Sequence, residues 1–243
     1  MATATLVKQS ILGAIGATCL IVGSQMSAQA ITFEGASSGQ FGLPVTPGFG
    51  ADVFLSNDGG VNNRLDWGLP NSSFVRFNGL ANFSAPTDAA FKVGDLTFRN
   101  SSNNVGTGFD GDFPLSVALN FTNPSGVNQS FNYLFNILNT PNTGDPILDS
   151  DKLLFSTAGL SSSSFNVGGI DYTLQLLGFS TDGGVSIINE FSAQENATAT
   201  AGLYGRITAA PIPTPALLPG LIGMGLAAMR KRKAGTVDKT KAA

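Results

Sequence analysis

An all-β fold, an antiparallel β-sandwich of jelly-roll-like type, is what this sequence predicts, and three observations carry the expectation. All 18 Phe fall between Phe33 and Phe191, where Gly, Ser, Asn and Thr are abundant and the helix-favouring Lys, Glu and Ala are sparse. Apolar residues in that stretch alternate with polar ones at period two. The runs are short, bounded by Gly, Asn, Asp or Pro, and have no helical pattern between them. A barrel is the lesser option, and about 180 residues suffice for one such domain.

The first thirty residues divide into the parts of a secretory signal. Lys8 is the only charge before an apolar run from Ile11 to Val22, which gives way to small and polar residues. Ala28-Gln29-Ala30 places small side chains at −3 and −1, as signal peptidase requires, so the expected cut lies between Ala30 and Ile31. The single Cys19 is a poor lipoprotein acceptor, since Thr18 and Gly16 stand where a lipobox has a small residue and Leu. After the cut the chain has no Cys and no His, which excludes disulfides, thiolate nucleophiles, Cys/His zinc sites and Ser-His-Asp catalysis.

Within the body, Leu115, Val117, Leu119 and Phe121 point one way while Ser116, Ala118, Asn120 and Thr122 point the other, the pattern of a half-buried strand. The run 130–138 has Phe131, Tyr133, Phe135 and Ile137 on one side and Leu134 and Leu138 on the other. It is expected to be central and covered on both faces. Asn123-Pro124-Ser125-Gly126 between the two reads as a hairpin turn. Further strands are expected at 73–77, 90–98, 152–156, 170–179, 185–191 and 203–208. Gly168-Gly169 and Asp182-Gly183-Gly184 suit tight hairpin turns.

Residues 31–210 carry 15 acidic against 6 basic side chains, a net of −9, whereas the segment after Pro211 is basic. An acidic body repels phosphate backbones, so no nucleic acid is expected as a partner. Asp145, Asp149 and Asp151 lie beside Asn139 and Asn142, and clustered oxygen ligands of this kind suit calcium; the competing reading is a solvated polar loop. Asp110, Asp112 and Asp58 are weaker candidates of the same kind. Trp67 beside Asp66 could stack on a sugar ring next to a hydrogen-bonding carboxylate, against the simpler role of a core residue. Glu190 and Glu195 stand in no glycosidase motif.

From Ala209 the chain turns Pro-rich through Pro215, then apolar from Ala216 to Met229, then basic at Arg230-Lys231-Arg232-Lys233. The prolines favour an extended linker. Fourteen apolar residues rise roughly 21 Å as a helix, short of a bilayer core of about 30 Å. The basic cluster would stay cytoplasmic and leave the acidic body outside.

Pro213-Thr214-Pro215-Ala216, the apolar run Leu217 to Gly225 and Arg230-Lys231-Arg232-Lys233 together resemble the PTPA-CTERM tail of cyanobacterial exported proteins, a variant of the PEP-CTERM sorting signal. The resemblance implies membrane insertion of the tail and recognition by an exosortase-type protease. The extension from Ala234 to Ala243 departs from it. The body is similar to the choice-of-anchor K or THxN type of extracellular domain in Asp66-Trp67-Gly68-Leu69-Pro70, in the fragment Val93 to Asn100, and in Leu138-Asn139-Thr140-Pro141-Asn142. Thr97-Phe98-Arg99-Asn100 stands where the second family has Thr-His-x-Asn. This likeness implies placement at the surface or in a matrix.

The expected organisation is therefore a signal peptide at 1–30, a β-sandwich at 31–208, a linker at 209–215, a sorting segment at 216–233 and a polar tail at 234–243. The expected function is a non-enzymatic surface or extracellular-matrix protein, structural or adhesive, that meets exopolysaccharide. A carbohydrate-binding module, calcium-dependent or not, or a weakly marked glycosidase is the alternative.

Overall fold

The computed structural model describes residues 31–44, 52–69, 72–102, 106–156 and 163–210. Ala28, Ala30 and the tail residues Pro213, Thr214, Pro215, Ala216, Arg230, Lys231, Arg232 and Lys233 lie outside them.

Thirteen strands and no helix make up the described residues: β1 (Thr32–Phe41), β2 (Phe54–Ser56), β3 (Arg64–Trp67), β4 (Ser73–Gly79), β5 (Phe83–Pro86), β6 (Ala90–Arg99), β7 (Gly111–Asn123), β8 (Asn128–Leu138), β9 (Asp151–Phe155), β10 (Ser163–Val167), β11 (Ile170–Ser180), β12 (Glu190–Ala193) and β13 (Thr198–Ala209). One sheet runs β12-β9-β8-β7-β1-β5, the other β10-β11-β13-β6-β4-β3-β2, and the pairings are antiparallel. The two curled sheets pack face to face, so the fold is the expected sandwich.

The core is built of aromatic rings that meet across the gap between the sheets. Phe33 of β1 meets Tyr172 of β11 edge-on with centroids 5.0 Å apart, and Phe155 of β9 stacks on Phe179 of β11 at 4.6 Å. Such pairs add about 0.5–1.5 kcal/mol each beyond the area they bury. The outer faces carry the polar partners of the alternation, as the antiparallel class requires.

The hairpin of β7 and β8 forms as the alternation demands. Phe113, Leu115, Val117, Leu119 and Phe121 are buried, and Leu119 pairs with Gln129 across the ladder. The turn contains a cis Asn123-Pro124 bond and Gly126 at φ 80°. Gly168 and Gly169, both at positive φ, close the hairpin of β10 and β11.

Two expectations about this region need correction. β8 is interior to its sheet but buried on one face only. Leu134 lies opposite Pro114 on the outer side, and Leu138 at the strand end is 43% exposed. The run 185–191 is not one strand. Asp182 accepts from the Ser186 amide (3.0 Å) and from Ser180 Oγ (2.7 Å), while Gly184 N–H donates to Ser180 Oγ (2.8 Å). That network folds 181–187 into a loop and leaves Val185 86% exposed, and the chain rejoins β11 only through the Phe179–Ile188 bridge. From Glu190 it crosses to pair with β9 in the other sheet.

β1, which the alternation does not reveal, lies close against the other sheet. Its inward positions between Phe33 and Phe41 are Gly35, Ser37 and Gly39, and a side chain at Gly39 would overlap the Phe77 ring. Ser37 N–H donates to the Leu80 carbonyl (2.8 Å), and Ser37 Oγ donates to the Val93 carbonyl (2.5 Å) while accepting from Leu80 N–H (2.8 Å). Only small residues fit there, so the strand carries almost no hydrophobic signal.

Candidate functional site

The loop from 139 to 150, between β8 and β9, is organised by its own acids. Asp145 Oδ1 accepts from the amides of Ile147 (2.9 Å) and Leu148 (3.3 Å). Asp149 Oδ1 accepts from Thr143 N–H (2.9 Å) and Oγ1 (2.7 Å), and its Oδ2 from Gly144 N–H (2.7 Å). Asp151 Oδ1 takes Thr140 N–H (2.8 Å) and Oγ1 (3.2 Å). Asp, Thr and Gly in this order close a loop because short polar side chains reach backbone amides a few residues away.

The expected calcium ligands are thereby brought together in the chain but not around a common point. Each of the three carboxylates is turned to its own set of N–H and O–H donors. Among the described residues no group of three or more acidic side chains is arranged to hold an ion. The weaker candidates are engaged likewise: Asp112 accepts from Asn136 Nδ2 and Ser156 Oγ, and Asp58 pairs with Arg76 at 2.7 Å.

Trp67 and Asp66 do not form the expected sugar platform. They are adjacent on β3, so their side chains leave opposite faces. Trp67 is 1% exposed and packs between Phe98 (6.2 Å) and Phe109 (5.6 Å). Asp66, also buried, accepts from Arg64 Nε (2.8 Å) and Nη2 (2.5 Å) and from Ser56 Oγ (2.5 Å).

Trp67 nevertheless reaches a real cavity. A pocket of about 410 Å³ opens at one end of the sandwich, where Trp67, the end of β6 at Asn100 and Ser101, the 106–108 turn, the 139–142 segment and Asp151 converge. Asn139 and Asn142 are exposed at its mouth, whereas Asn100 and Asp151 are buried. Asn100 is fixed by donating from Nδ2 to the carbonyls of Asp149 and Ala193, both at 3.3 Å. Only an NH₂ can serve two carbonyls, so its Oδ1 is directed away from them.

The two buried acids of the loop differ in charge behaviour. The Thr143 hydroxyl, followed by amides of the same loop, holds the Asp149 carboxyl below the usual carboxylate range. Burial pushes the Asp151 carboxyl up to about 6, against the Thr140 hydrogen bonds that lower it, and the negative charges of Glu195 and Asp110 add to the rise.

The sequence alone gives Asn100 no chemical role. Trp67, Asn100 and Asn139 to Asn142 come from three separate stretches of the sequence, 66–70, 93–100 and 138–142. The fold gathers all three fragments around this one pocket. The sequence matches no protein-family model and no curated protein.

Proposed function

We propose that the chain is an exported, non-enzymatic protein of the cell surface or extracellular matrix, in which a rigid β-sandwich is displayed for a structural or adhesive role. Signal peptidase would release it from its leader after Ala30. The tail would enter the membrane and be read at Pro213-Thr214-Pro215-Ala216 by an exosortase-type protease, with exopolysaccharide as the surrounding partner.

The observation that carries this reading is the use made of the loop carboxylates. Asp145, Asp149 and Asp182 each accept two or more hydrogen bonds from their own loops. Groups spent on fixing loops hold a surface in one shape, which suits display and adhesion. Sugar binding, the second reading, is supported by the end pocket rather than by Trp67 and Asp66 as a pair.

Co-sedimentation of the full chain with purified exopolysaccharide, combined with an assay of new reducing ends, tests the proposal. Retention of the protein without new reducing ends is the expected result. New reducing ends would make the protein a glycosidase, and absence of retention would remove the adhesive role.

A further inference from the structure

The end pocket holds two buried side chains whose hydrogen-bonding capacity is only half used. Asn100 spends Nδ2 on the Asp149 and Ala193 carbonyls and leaves Oδ1 without a donor. Asp151 takes both Thr140 donors on Oδ1 and leaves Oδ2 without one. Both residues are more than nine-tenths buried, and both line the cavity. Both oxygens are thus left for a donor that enters the cavity.

What these two atoms lack is a donor, and the charge around them says which sort. Asp110 and Glu195 both act on Asp151 as like charges, and Glu195 Oε1 is itself buried without a partner. Among the described residues, Arg99 is a cation bonded to the pocket lining, its Nε donating to Ser101 Oγ (3.0 Å). Burial, with a smaller push from the neighbouring acids, raises the Asp151 carboxyl to about 6. A metal ion would need several oxygens converging on one point, and among the described residues no group of three or more acidic side chains is arranged to hold one. An ammonium group offers three donors on one compact positive charge. The mouth has a different character: Asn139 and Asn142 present side-chain amides to solvent, and amides give and accept hydrogen bonds with hydroxyls. A cavity of about 410 Å³ is in the range that takes a small molecule.

We propose that this pocket binds an amino sugar with a free primary ammonium. The ammonium donates to Asn100 Oδ1 and Asp151 Oδ2, and the ring hydroxyls meet Asn139 and Asn142 at the mouth. The site deepens the adhesive reading, since it gives the displayed domain a specific contact with polysaccharide that carries unacetylated amino groups.

Trp67 is the only Trp in the chain and lines the pocket, so its fluorescence reports occupancy directly. The test is a titration of the full chain, purified in detergent at pH 7.5, with D-glucosamine, N-acetylglucosamine, D-glucose and putrescine, each followed by Trp fluorescence and calorimetry. Saturable binding of glucosamine is expected, at least tenfold tighter than that of the acetylated sugar or glucose. Asp151→Asn, which keeps the acceptor for Thr140 and removes the charge, is expected to weaken glucosamine at least tenfold while the protein stays folded. The wild-type sugar series decides the matter by itself if that variant fails to fold. No saturable signal, equal binding of glucose and glucosamine, or an Asp151→Asn variant that binds as well as wild type would each overturn the proposal. Putrescine binding as tightly as glucosamine would show an amine site with no sugar contact and would overturn it as well. Retention of the protein on exopolysaccharide without any glucosamine signal would leave the adhesive role standing and refute this site alone.

Discussion

Asn100 at the end of β6 donates a hydrogen bond to the carbonyl of Asp149, 49 positions later, and so ties one sheet to the loop that precedes β9 in the other. Its second bond, to Ala193 of β12, makes it a three-way joint beside the pocket. Asn100→Ala leaves two carbonyls without donors and is expected to cost about 1–3 kcal/mol. Hydrogen exchange should show the 139–150 amides losing protection first. Loss spread evenly over the domain would mean that the joint is not local.

Asp151 gives a pH dependence whose direction is fixed by its environment. Its carboxyl titrates near 6 in the folded chain, above its ordinary 3.8, so the folded state favours the protonated form. The contribution to stability is fully present below about pH 4 and is lost as pH rises through 6. Asp151→Asn should therefore match wild type in denaturant midpoint at pH 4 and exceed it at pH 8, by about 3 kcal/mol at most. A wild type that gains on the variant as pH rises would reverse the assignment.

Gly79 and Gly59 separate steric from conformational demands. A side chain at Gly79 would overlap the Ser37 carbonyl, which is backbone and cannot turn aside, so Gly79→Ala should cost about 3 kcal/mol or more. Gly59 has φ 85° and open space, so Gly59→Ala should cost only about 1 kcal/mol of backbone strain. Thermal melts of both variants compare them, and equal losses would contradict the close approach of β1 and β4.

The two faces of β7 provide a further contrast. Leu119 is fully buried and Asn120 is exposed. Leu119→Asp should prevent folding, because a carboxylate would sit in the core without a partner. Asn120→Asp should change stability by no more than about 0.5 kcal/mol. Circular dichroism of the two variants gives the answer, and comparable damage would require a different register.

The parts of this fold that are legible in the sequence are those in which burial uses large side chains. Leu115 to Phe121 and Phe131 to Ile137 announce their strands because each inward residue is apolar and each outward one on β7 is small or polar. β1 is silent because three of its inward positions are Gly35, pressed against β7, and Ser37 and Gly39, which lie close against the other sheet. The run 185–191 reads falsely as a strand because nothing in its apolar residues shows that Ser180 and Asp182 will fold the preceding turn into a loop. The acids at 145–151 attract notice as a group, yet their hydrogen bonds to Thr140, Thr143 and Gly144 are visible only in three dimensions. Trp67 and Asp151 both stand out in the sequence, for different ligands. Their meeting at one pocket with Asn100 depends on pairings among β3, β4 and β6 that the sequence does not specify.

Export and display are tested most directly by the termini of the mature protein, read by mass spectrometry in the envelope and matrix fractions of a bacterium that carries an exosortase-type protease. The expected chain begins at Ile31 and, in the matrix fraction, ends before the basic cluster at Arg230. A chain that begins at Met1 and carries Ala243 in every fraction would contradict both the leader and the sorting tail.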